Sequence, residues 1–442
     1  TPAVDIFNTT SWPRSELVSI PQEISEAGNF VTDDQGRPVP AQRLASRELA
    51  VFVRDLPPFS GRRYTLTKEG KAATDTTLKA SGAVIENGTV RVRVDETTGG
   101  IVELRATGIE ANLADTASGH ALNEYLYLIG DDLAALQRNG SVKIAVRDRG
   151  PLVASLLVES DAPGCHKLVR ELRLVAGADY VELLDTVDKK RLDAKSYHAS
   201  EGKESVNFAF PFNVPDGEMR LDVPFGLVRP EDDQMPSACK NWLSVGRWAD
   251  VANKNYGVTW VTLDAPLVQI GGLTARLLNS QTNPDVWRKK IERSQKLYSW
   301  AMNNHWGTNY RAYQEGPTRF RFVLRPHRGT TPAEASRFAT GFSQPLVPVP
   351  GRGRAPSPAP RLRVEPSDVL VTALKPSDDG KAWIVRLFGA SEKPATATLA
   401  WSEPAPRRLW LSDTSERPLQ KLSGDIPVPA WGVVTVRVEL PF

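Results

Sequence analysis

The densest cluster of side chains with chemical potential lies in residues 299–317, SWAMNNHWGTNYRAYQEGP. Aromatic rings pack on the C–H faces of pyranose sugars, while amide and charged groups bond the sugar hydroxyls. In addition to Trp300, the stretch contains nine candidate substrate-binding residues: Asn303, Asn304, His305, Trp306, Asn309, Tyr310, Tyr313, Gln314 and Glu315. The composition predicts a loop that reaches a carbohydrate. It is equally compatible with an irregular crossover whose rings fill a core and whose asparagines satisfy turns.

Two of these residues have the chemistry of a general acid or base. His305 titrates near neutral pH when unperturbed, and Glu315 is a carboxylate of the type that glycosidases use in pairs. The sequence does not show which second carboxylate would pair with Glu315, and a hydrogen-bonded structural histidine is the commoner role for an isolated histidine. We interpret Asp250, in the aromatic-rich stretch NWLSVGRWADV, as structural. The sequence therefore assigns no catalytic residue.

Composition and charge exclude several classes of protein. A chain of 442 residues is long enough for two to four domains. Its 40% hydrophobic and 24% charged residues are typical of a soluble globular protein, and no window approaches the ~20 apolar residues of a membrane helix. A net charge of +3 argues against a nucleic-acid-binding protein. We recognise no signal peptide, and the sequence leaves the compartment and the oligomeric state open.

Cysteine and histidine spacing gives no indication of a metal site. The five histidines show neither HxH nor HxxxH spacing, and the two cysteines form no CxxC motif. We therefore expect no metal and no cofactor within this chain. Cys165 and Cys239 either form one disulfide or remain two buried thiols.

Period-two hydrophobicity dominates the chain and predicts β-strands. In TVRVRVD (89–95) and RFRFVLRP (319–326), apolar residues alternate with arginines, as expected of strands with one buried face. Asn87-Gly88 suits a type I′ hairpin turn. Helical signals are few: TTPAEASRFATGF (330–342), with Thr330 or Thr331 as N-cap, and DDLAALQ (131–137) as one short turn.

Two composition changes divide the chain. Small polar residues at 68–82 and a Pro/Arg-rich segment at 346–360 predict linkers. The predicted fold class is all-β: a large central super-sandwich at 83–345, flanked by small antiparallel β-sandwiches at 1–67 and 361–442.

Four long segments together resemble the C-terminal β-domains of glycoside hydrolase family 38, the α-mannosidases. They are VDIFNTTSWPRSELVSI, GRWADVANKNYGVTWVTLDAPLV, LYSWAMNNHWGTNYRAYQEGP and FRFVLRPH, and they occur in the family's order. The resemblance runs from about residue 4 to about residue 345 and is weaker over 361–442. It implies that the central domain is of the galactose-mutarotase type and that its 303–315 loop contributes to the wall of an active-site cleft.

The family's members are retaining glycosidases that cleave α-mannosidic bonds. Their nucleophilic aspartate and their zinc ion belong to an N-terminal α/β domain, which these 442 residues do not contain, so neither can be assigned to a residue here. The resemblance therefore implies a C-terminal portion that supports the site and partly lines it. Its expected partners are the absent catalytic domain and an α-mannoside-like glycan, with no nucleic acid and no membrane.

Two other functions stay open on the sequence. One is a stand-alone mutarotase- or epimerase-like sugar enzyme, with His305 as acid and Glu315 as base. The other is a carbohydrate-binding module with an exposed aromatic platform formed by Trp242, Trp248 and Trp260, although most tryptophans in β-sandwiches lie in the core.

Overall fold

The protein is nearly all β-structure in a computed structural model, which describes residues 2–70, 77–193, 202–274, 287–305, 313–402, 404–439 and 441. Its contacts divide it into two compact units. Unit 1 comprises Thr1–Thr74, Pro224–Gly226 and Thr331–Phe442, and unit 2 comprises Asp75–Val223 and Leu227–Thr330. The all-β fold class predicted from the alternating sequence is confirmed.

The strands and helices follow one another along the chain in three groups. The first contains β1 Ala3–Asn8, β2 Arg14–Ile20, α1 Gln22–Ser25, β3 Phe30–Thr32, β4 Pro38–Val39, β5 Ala41–Arg43, β6 Leu49–Leu56 and β7 Ser60–Thr67. The second contains β8 Lys79–Ser81, β9 Val84–Glu86, β10 Val90–Val94, β11 Ile101–Ala106, β12 Glu124–Ile129, a 3-10 turn Leu133–Ala135, β13 Gln137–Arg138, β14 Val142–Arg149, β15 Val153–Ser160, β16 Cys165–Val175, β17 Val181–Lys189, β18 Glu204–Pro211, β19 Glu218–Val223, β20 Gly226–Val228, β21 Leu243–Ser244, β22 Trp248–Ala252, β23 Gly257–Thr262, β24 Leu267–Ile270, β25 Lys296–Asn303 and β26 Gly316–His327. The third contains α2 Pro332–Ser343, β27 Val347–Pro350, β28 Leu362–Glu365, β29 Val369–Pro376, β30 Trp383–Gly389, β31 Ala395–Trp401, β32 Arg408–Ser412, β33 Pro418–Leu422, β34 Ile426–Val428 and β35 Val433–Glu439.

Unit 2 is a large sandwich of two main sheets. A six-stranded sheet, β13-β12-β18-β25-β24-β21, and a nine-stranded sheet, β14-β15-β16-β17-β26-β23-β22-β19-β20, share one hydrophobic core with the four-stranded sheet β11-β10-β9-β8. Aromatic rings join the two larger sheets: Phe210 of β18 lies 5.1 Å from Phe322 of β26 and 5.5 Å from Trp260 of β23. Each such fully buried side chain contributes about 1.5–3 kcal/mol, so this contact holds the sandwich together.

The alternating strands predicted from the sequence are confirmed. In β10, Val90, Val92 and Val94 are buried while Arg93 is exposed. In β26, the apolar positions of RFRFVLRP point into the core in the same way.

A polar link crosses the core of unit 2. Asn123, directly before β12, donates from Nδ2 to Asp185 Oδ1 of β17 at 2.9 Å, and its carbonyl accepts from Arg170 Nη1 of β16 at 3.1 Å. Asp185 and Arg170 are fully buried. Burial raises the pKa of Asp185 to about 7, against the opposing effects of the Asn123 hydrogen bond and the Arg170 charge. The carboxylate therefore changes charge near neutral pH inside the core.

We expect Asp185 to make unit 2 less stable as the pH rises. Because the folded pKa of Asp185 lies above its unfolded value, its contribution is complete below pH 4 and is lost as the pH rises through about 7. Between about pH 5.5 and 8 the loss is about 2 kcal/mol. Urea unfolding at both pH values should show this loss in the wild type but not in Asp185→Asn. The control is Asp188→Asn, on the same strand, which should keep the loss seen in the wild type. If Asp185→Asn also loses unfolding free energy between the two pH values as the wild type does, Asp185 is not the group responsible.

Unit 1 contains two smaller sandwiches. The first packs sheet β27-β1-β7-β3-β4 on sheet β2-β6-β5, and the second packs sheet β28-β31-β34 on sheet β29-β30-β35-β32-β33. The predicted linkers contain ordered strands. Val347–Pro350 pairs with β1 as β27, and Lys79–Ser81 joins the four-stranded sheet of unit 2 as β8, whereas residues 71–76 lie outside the described residues.

The predicted helix at 330–342 forms α2. Thr331 is its N-cap and forms a reciprocal capping box with Glu334, which confirms one of the two predicted caps. At the other end, the buried Arg14 donates to the carbonyl oxygens of Gly341 and Gln344 at 2.7 and 2.6 Å. A cation at the last carbonyl groups of a helix interacts favourably with the negative end of the helix dipole. Arg14 therefore anchors the C-terminal end of α2 to β2. The short turn predicted at 131–137 is the 3-10 turn, capped by Asp132.

Candidate functional site

Strand β25 carries the first part of the predicted site. It pairs with β18, with Asn207 opposite Trp300 and Ser205 opposite Asn303. Leu297 and Met302 point into the main core, and Trp300 lies on the opposite face of the sheet beside Trp242. The predicted stretch therefore starts as a regular strand and leaves the sheet at Asn303.

The side chain of Asn304 bonds the backbone of two other segments, 202–204 and Leu192. Its Oδ1 accepts from Glu204 N at 2.6 Å, and its Nδ2 donates to the carbonyl oxygens of Gly202 and Leu192 at 2.8 and 3.3 Å. The residue is only 3% exposed. Because the amide is committed to the backbone, Asn304 positions the chain at the end of β25.

A buried ion pair supports this corner of the sheet. Lys189 Nζ lies 2.7 Å from Glu204 Oε1, and Tyr127 donates to Glu204 Oε2 at 2.6 Å. The side chains of Lys189 and Glu204 are 2% and 0% exposed. We did not predict this cluster from the sequence. The available signal was the charged sequence GKES immediately before the apolar strand VNFAFPF, since charges at the start of a buried strand need partners.

His305 is buried, and its two ring nitrogens have no hydrogen-bond partner in the part of the chain that the structure describes. It is 2% exposed, its backbone carbonyl accepts from Lys203 Nζ at 3.0 Å, and its ring meets Trp300 edge-on at 5.6 Å. Among the described residues, neither Nδ1 nor Nε2 has a hydrogen-bond partner, and Trp300 Nε1 is unpaired in the same sense. Buried polar atoms in folded proteins nearly always have partners, so these nitrogens are open to a partner that lies outside the described residues.

The environment keeps His305 neutral. Burial, and secondarily the charge of Lys203, lowers its pKa to about 3. At neutral pH the imidazole therefore offers one donor and one acceptor. Such a low pKa makes it a poor general acid at neutral pH.

The second part of the predicted site lies just before β26. The guanidinium of Arg191 stacks 3.7 Å from the ring centroid of Tyr313 and donates to Asp193 at 3.0 Å, while Gln314 and Glu315 are exposed. Segment 191–193 links the two parts, because Leu192 also accepts from Asn304. Asn304, near the start of the 299–317 stretch, and Tyr313, near its end, therefore both contact segment 191–193. Trp306, Asn309 and Tyr310 lie outside the described residues.

The aromatic platform considered for a carbohydrate-binding module does not form. Trp248 and Trp260 are 1% and 0% exposed and belong to the interior of unit 2. Trp242 lies on the outer side of the six-stranded sheet, with its ring 5.6 Å from Trp300 and 6.4 Å from Trp287. Two of the three rings are therefore core residues, as most tryptophans in sandwiches are.

Three further observations bear on ligands and covalent links. Within the described ranges, no three His, Cys, Asp or Glu side chains are grouped as metal ligands would be. Cys165 and Cys239 are free thiols. None of the helices in the described part of the chain has the length and apolar character required to cross a bilayer.

Comparison with known families matches two parts of the chain. Residues 85–266 match the glycosyl hydrolases family 38 C-terminal domain, and residues 368–440 match the family 38 C-terminal beta sandwich domain. No curated protein matches the sequence.

Among solved structures, an alpha-mannosidase from Enterococcus faecalis V583 matches 99% of this chain and 56% of its own, at 12% identity and a TM-score of 0.71. A protein in the glycosyl hydrolase family 38 from Enterococcus faecalis matches 99% of this chain and 58% of its own, at 13% identity and a TM-score of 0.73. A putative aldose 1-epimerase from Escherichia coli K12 matches 55% of this chain and 97% of its own, at 11% identity and a TM-score of 0.32.

The first two likenesses establish a shared fold, and the chain spans 56–58% of the length of those two proteins. The first family match falls on the part of the large sandwich of unit 2 that ends before β24, and the second falls on the last sandwich of unit 1 from β29 to β35. The chain belongs to glycosyl hydrolase family 38, and it carries that family's C-terminal β-domains.

Proposed function

We propose that this chain is the C-terminal portion of a glycosidase similar to the retaining α-mannosidases, where it supports the carbohydrate-cleaving site and lines part of it. The carboxylate pair and the zinc ion of the chemistry would belong to an α/β portion outside these 442 residues. The substrate would be an α-mannoside-like glycan. Family membership supports the role of a scaffold, and one structural feature supports contact with the site.

That feature is the imidazole of His305, whose nitrogens lack a hydrogen-bond partner among the residues that the structure describes. Leaving a buried polar group without a partner costs about 1–3 kcal/mol, a cost that is recovered if a partner or ligand supplies the missing hydrogen bonds. A neutral imidazole donates from one nitrogen and accepts at the other, which matches a sugar hydroxyl or the polar surface of a second domain. Trp300 adds an unpaired indole N–H in the same cluster. Both residues belong to the stretch that the sequence selected for carbohydrate contact.

The alternative function, a stand-alone epimerase-like enzyme, has less support from the same residues. That chemistry requires His305 and Glu315 to act as an acid–base couple near neutral pH. His305 is buried and its pKa is lowered to about 3, whereas Glu315 is exposed. The two side chains therefore differ in both environment and protonation from what the couple requires.

The test is reconstitution. The 442-residue chain is produced alone and together with the α/β catalytic portion encoded in the same genome, and hydrolysis of p-nitrophenyl α-mannoside is measured. We expect hydrolysis only when both portions are present. If the assembled protein cleaves neither this substrate nor a related glycoside, the proposed function is wrong.

A further inference from the structure

A groove in unit 1 has the composition of a ligand site. It has a volume of about 510 Å³, within the range of small-molecule pockets. One part of its wall is formed by Trp12 and the prolines beside it and at 57–58, and a second part by Arg337 of α2 and by strand β28. All of these residues belong to the same compact unit.

The first wall is apolar and held in place. Trp12 packs against a small cluster that contains Leu370 and Ala333, so the ring is half-buried and its position is fixed. Pro57 and Pro58 continue this wall. A fixed indole beside proline rings offers the flat C–H and π surface on which the apolar face of a sugar ring packs.

The second part of the wall is charged. In β28, Leu362 and Val364 point into the core of the last sandwich, so Arg363 and Glu365 point outward. Strand β28 is the edge of its sheet. Within the described ranges neither charged side chain has a hydrogen-bond or ion-pair partner, and both are exposed. These two groups are therefore available to a ligand.

Arg337 provides a second guanidinium. Its Nη1 donates to the carbonyl oxygen of Ser367 at 2.5 Å, which holds the side chain at the groove, and its other N–H groups have no partner among the described residues. Two guanidinium groups and one carboxylate give the groove a net positive charge. Because guanidinium binds carboxylates through paired N–H donors, this charge favours a ligand that carries a carboxylate.

From these features we infer that the groove binds an acidic carbohydrate, a pyranose chain that carries carboxylates as uronic acids do. The sugar ring packs on Trp12, Arg363 and Arg337 bind the carboxylate, and Glu365 accepts from the hydroxyls. This inference does not depend on the proposed function, because none of its residues belongs to the 299–317 stretch.

Titration calorimetry of the 442-residue chain with trigalacturonic acid tests the inference, with maltotriose as the neutral control. We expect trigalacturonic acid to bind at least about tenfold more tightly than maltotriose, and to quench tryptophan fluorescence. Arg363→Gln should weaken trigalacturonic acid binding at least about tenfold. Arg354→Gln, which removes the same charge from an exposed arginine outside the groove, should change the affinity by less than about twofold.

Three results would each overturn the inference. They are no binding of trigalacturonic acid up to about 10 mM, equal affinity for both trisaccharides, and equal effects of the two arginine variants. Because Arg363 is exposed, its variant should keep the wild-type unfolding midpoint, and that measurement separates a binding defect from a folding defect.

Discussion

Asp250→Ala is expected to lower the free energy of unfolding of unit 2 by about 3–5 kcal/mol. The Asp250 side chain is fully buried and its two oxygens accept from three side chains. Arg220 Nη2 donates at 2.7 Å, Thr259 Oγ1 at 3.0 Å and His327 Nε2 lies at 2.8 Å. Removing the carboxylate leaves these partners without their acceptor in the interior of a sheet.

The effect is large because one carboxylate joins four neighbouring strands. Arg220 lies on β19, Asp250 on β22, Thr259 on β23 and His327 on β26, and these strands are consecutive in the nine-stranded sheet. These contacts agree with the interpretation of Asp250 as a structural residue.

The pH dependence of this cluster has the opposite sign to that of Asp185. Burial alone would raise the pKa of Asp250, but the hydrogen bond and charge of His327, followed by Arg220, outweigh it and lower the pKa. The stabilisation is therefore present above the unfolded pKa of about 4 and is lost as the pH falls through the lower folded value.

Two variants control the Asp250 experiment in urea unfolding. Asp250→Asn keeps the shape and removes the charge, so it should lie between the wild type and the alanine variant. Asp264→Ala breaks a more exposed ion pair with Arg321 and should cost at most about 1 kcal/mol. Equal losses in Asp250→Ala and Asp264→Ala would contradict the role assigned to Asp250.

His305→Phe is expected to stabilise the isolated chain by about 1–3 kcal/mol. Phenylalanine keeps an aromatic ring against Trp300 and removes two buried nitrogens that have no partner among the described residues. An apolar ring of similar shape avoids the cost of desolvating those nitrogens. Thermal or urea unfolding of the isolated chain measures the change.

His166→Phe is the matched control, since His166 is exposed on β16 and its unfolding free energy should change little. If His305→Phe destabilises the chain, the imidazole nitrogens already have hydrogen-bond partners in the isolated chain, and the prediction is wrong.

The strand pattern of this fold could be predicted because period-two burial is a local property of the sequence. Turn geometry was less accessible. The type I′ turn predicted at Asn87-Gly88 is wrong: only Gly88 has a positive φ, of 82°. The side chain of Asn87 instead donates to the carbonyl oxygens of Val175 and Ala178 at 2.7 and 2.8 Å, a distant contact that a four-residue pattern does not contain.

The Pro/Arg-rich segment was predicted as a linker from its composition, but it contains a strand. Val347–Pro350 contains two prolines, which usually exclude strands, but β27 lies at the edge of its sheet. Prolines are tolerated at an edge because their missing N–H can face away from the neighbouring strand. Backbone pairing with β1 decides the structure of this segment.

The candidate site shows the same limit. The sequence selected the 299–317 stretch from its composition, but it did not distinguish Asn304, whose amide bonds the backbone, from His305, whose ring has no hydrogen-bond partner among the described residues. That distinction depends on Gly202, Lys203 and Glu204, which are about a hundred positions away and come next to the end of β25 because β18 pairs with β25.

The most direct measurement is kcat/KM of the assembled two-portion protein on an α-mannoside, with wild-type His305 and with His305→Phe. The nitrogens of His305 should be satisfied in the assembled site, so we expect kcat/KM to fall at least about tenfold while the stability of the isolated chain rises. His166→Phe should keep the wild-type rate. An unchanged kcat/KM in His305→Phe would contradict the claim that this β-portion lines the carbohydrate-cleaving site.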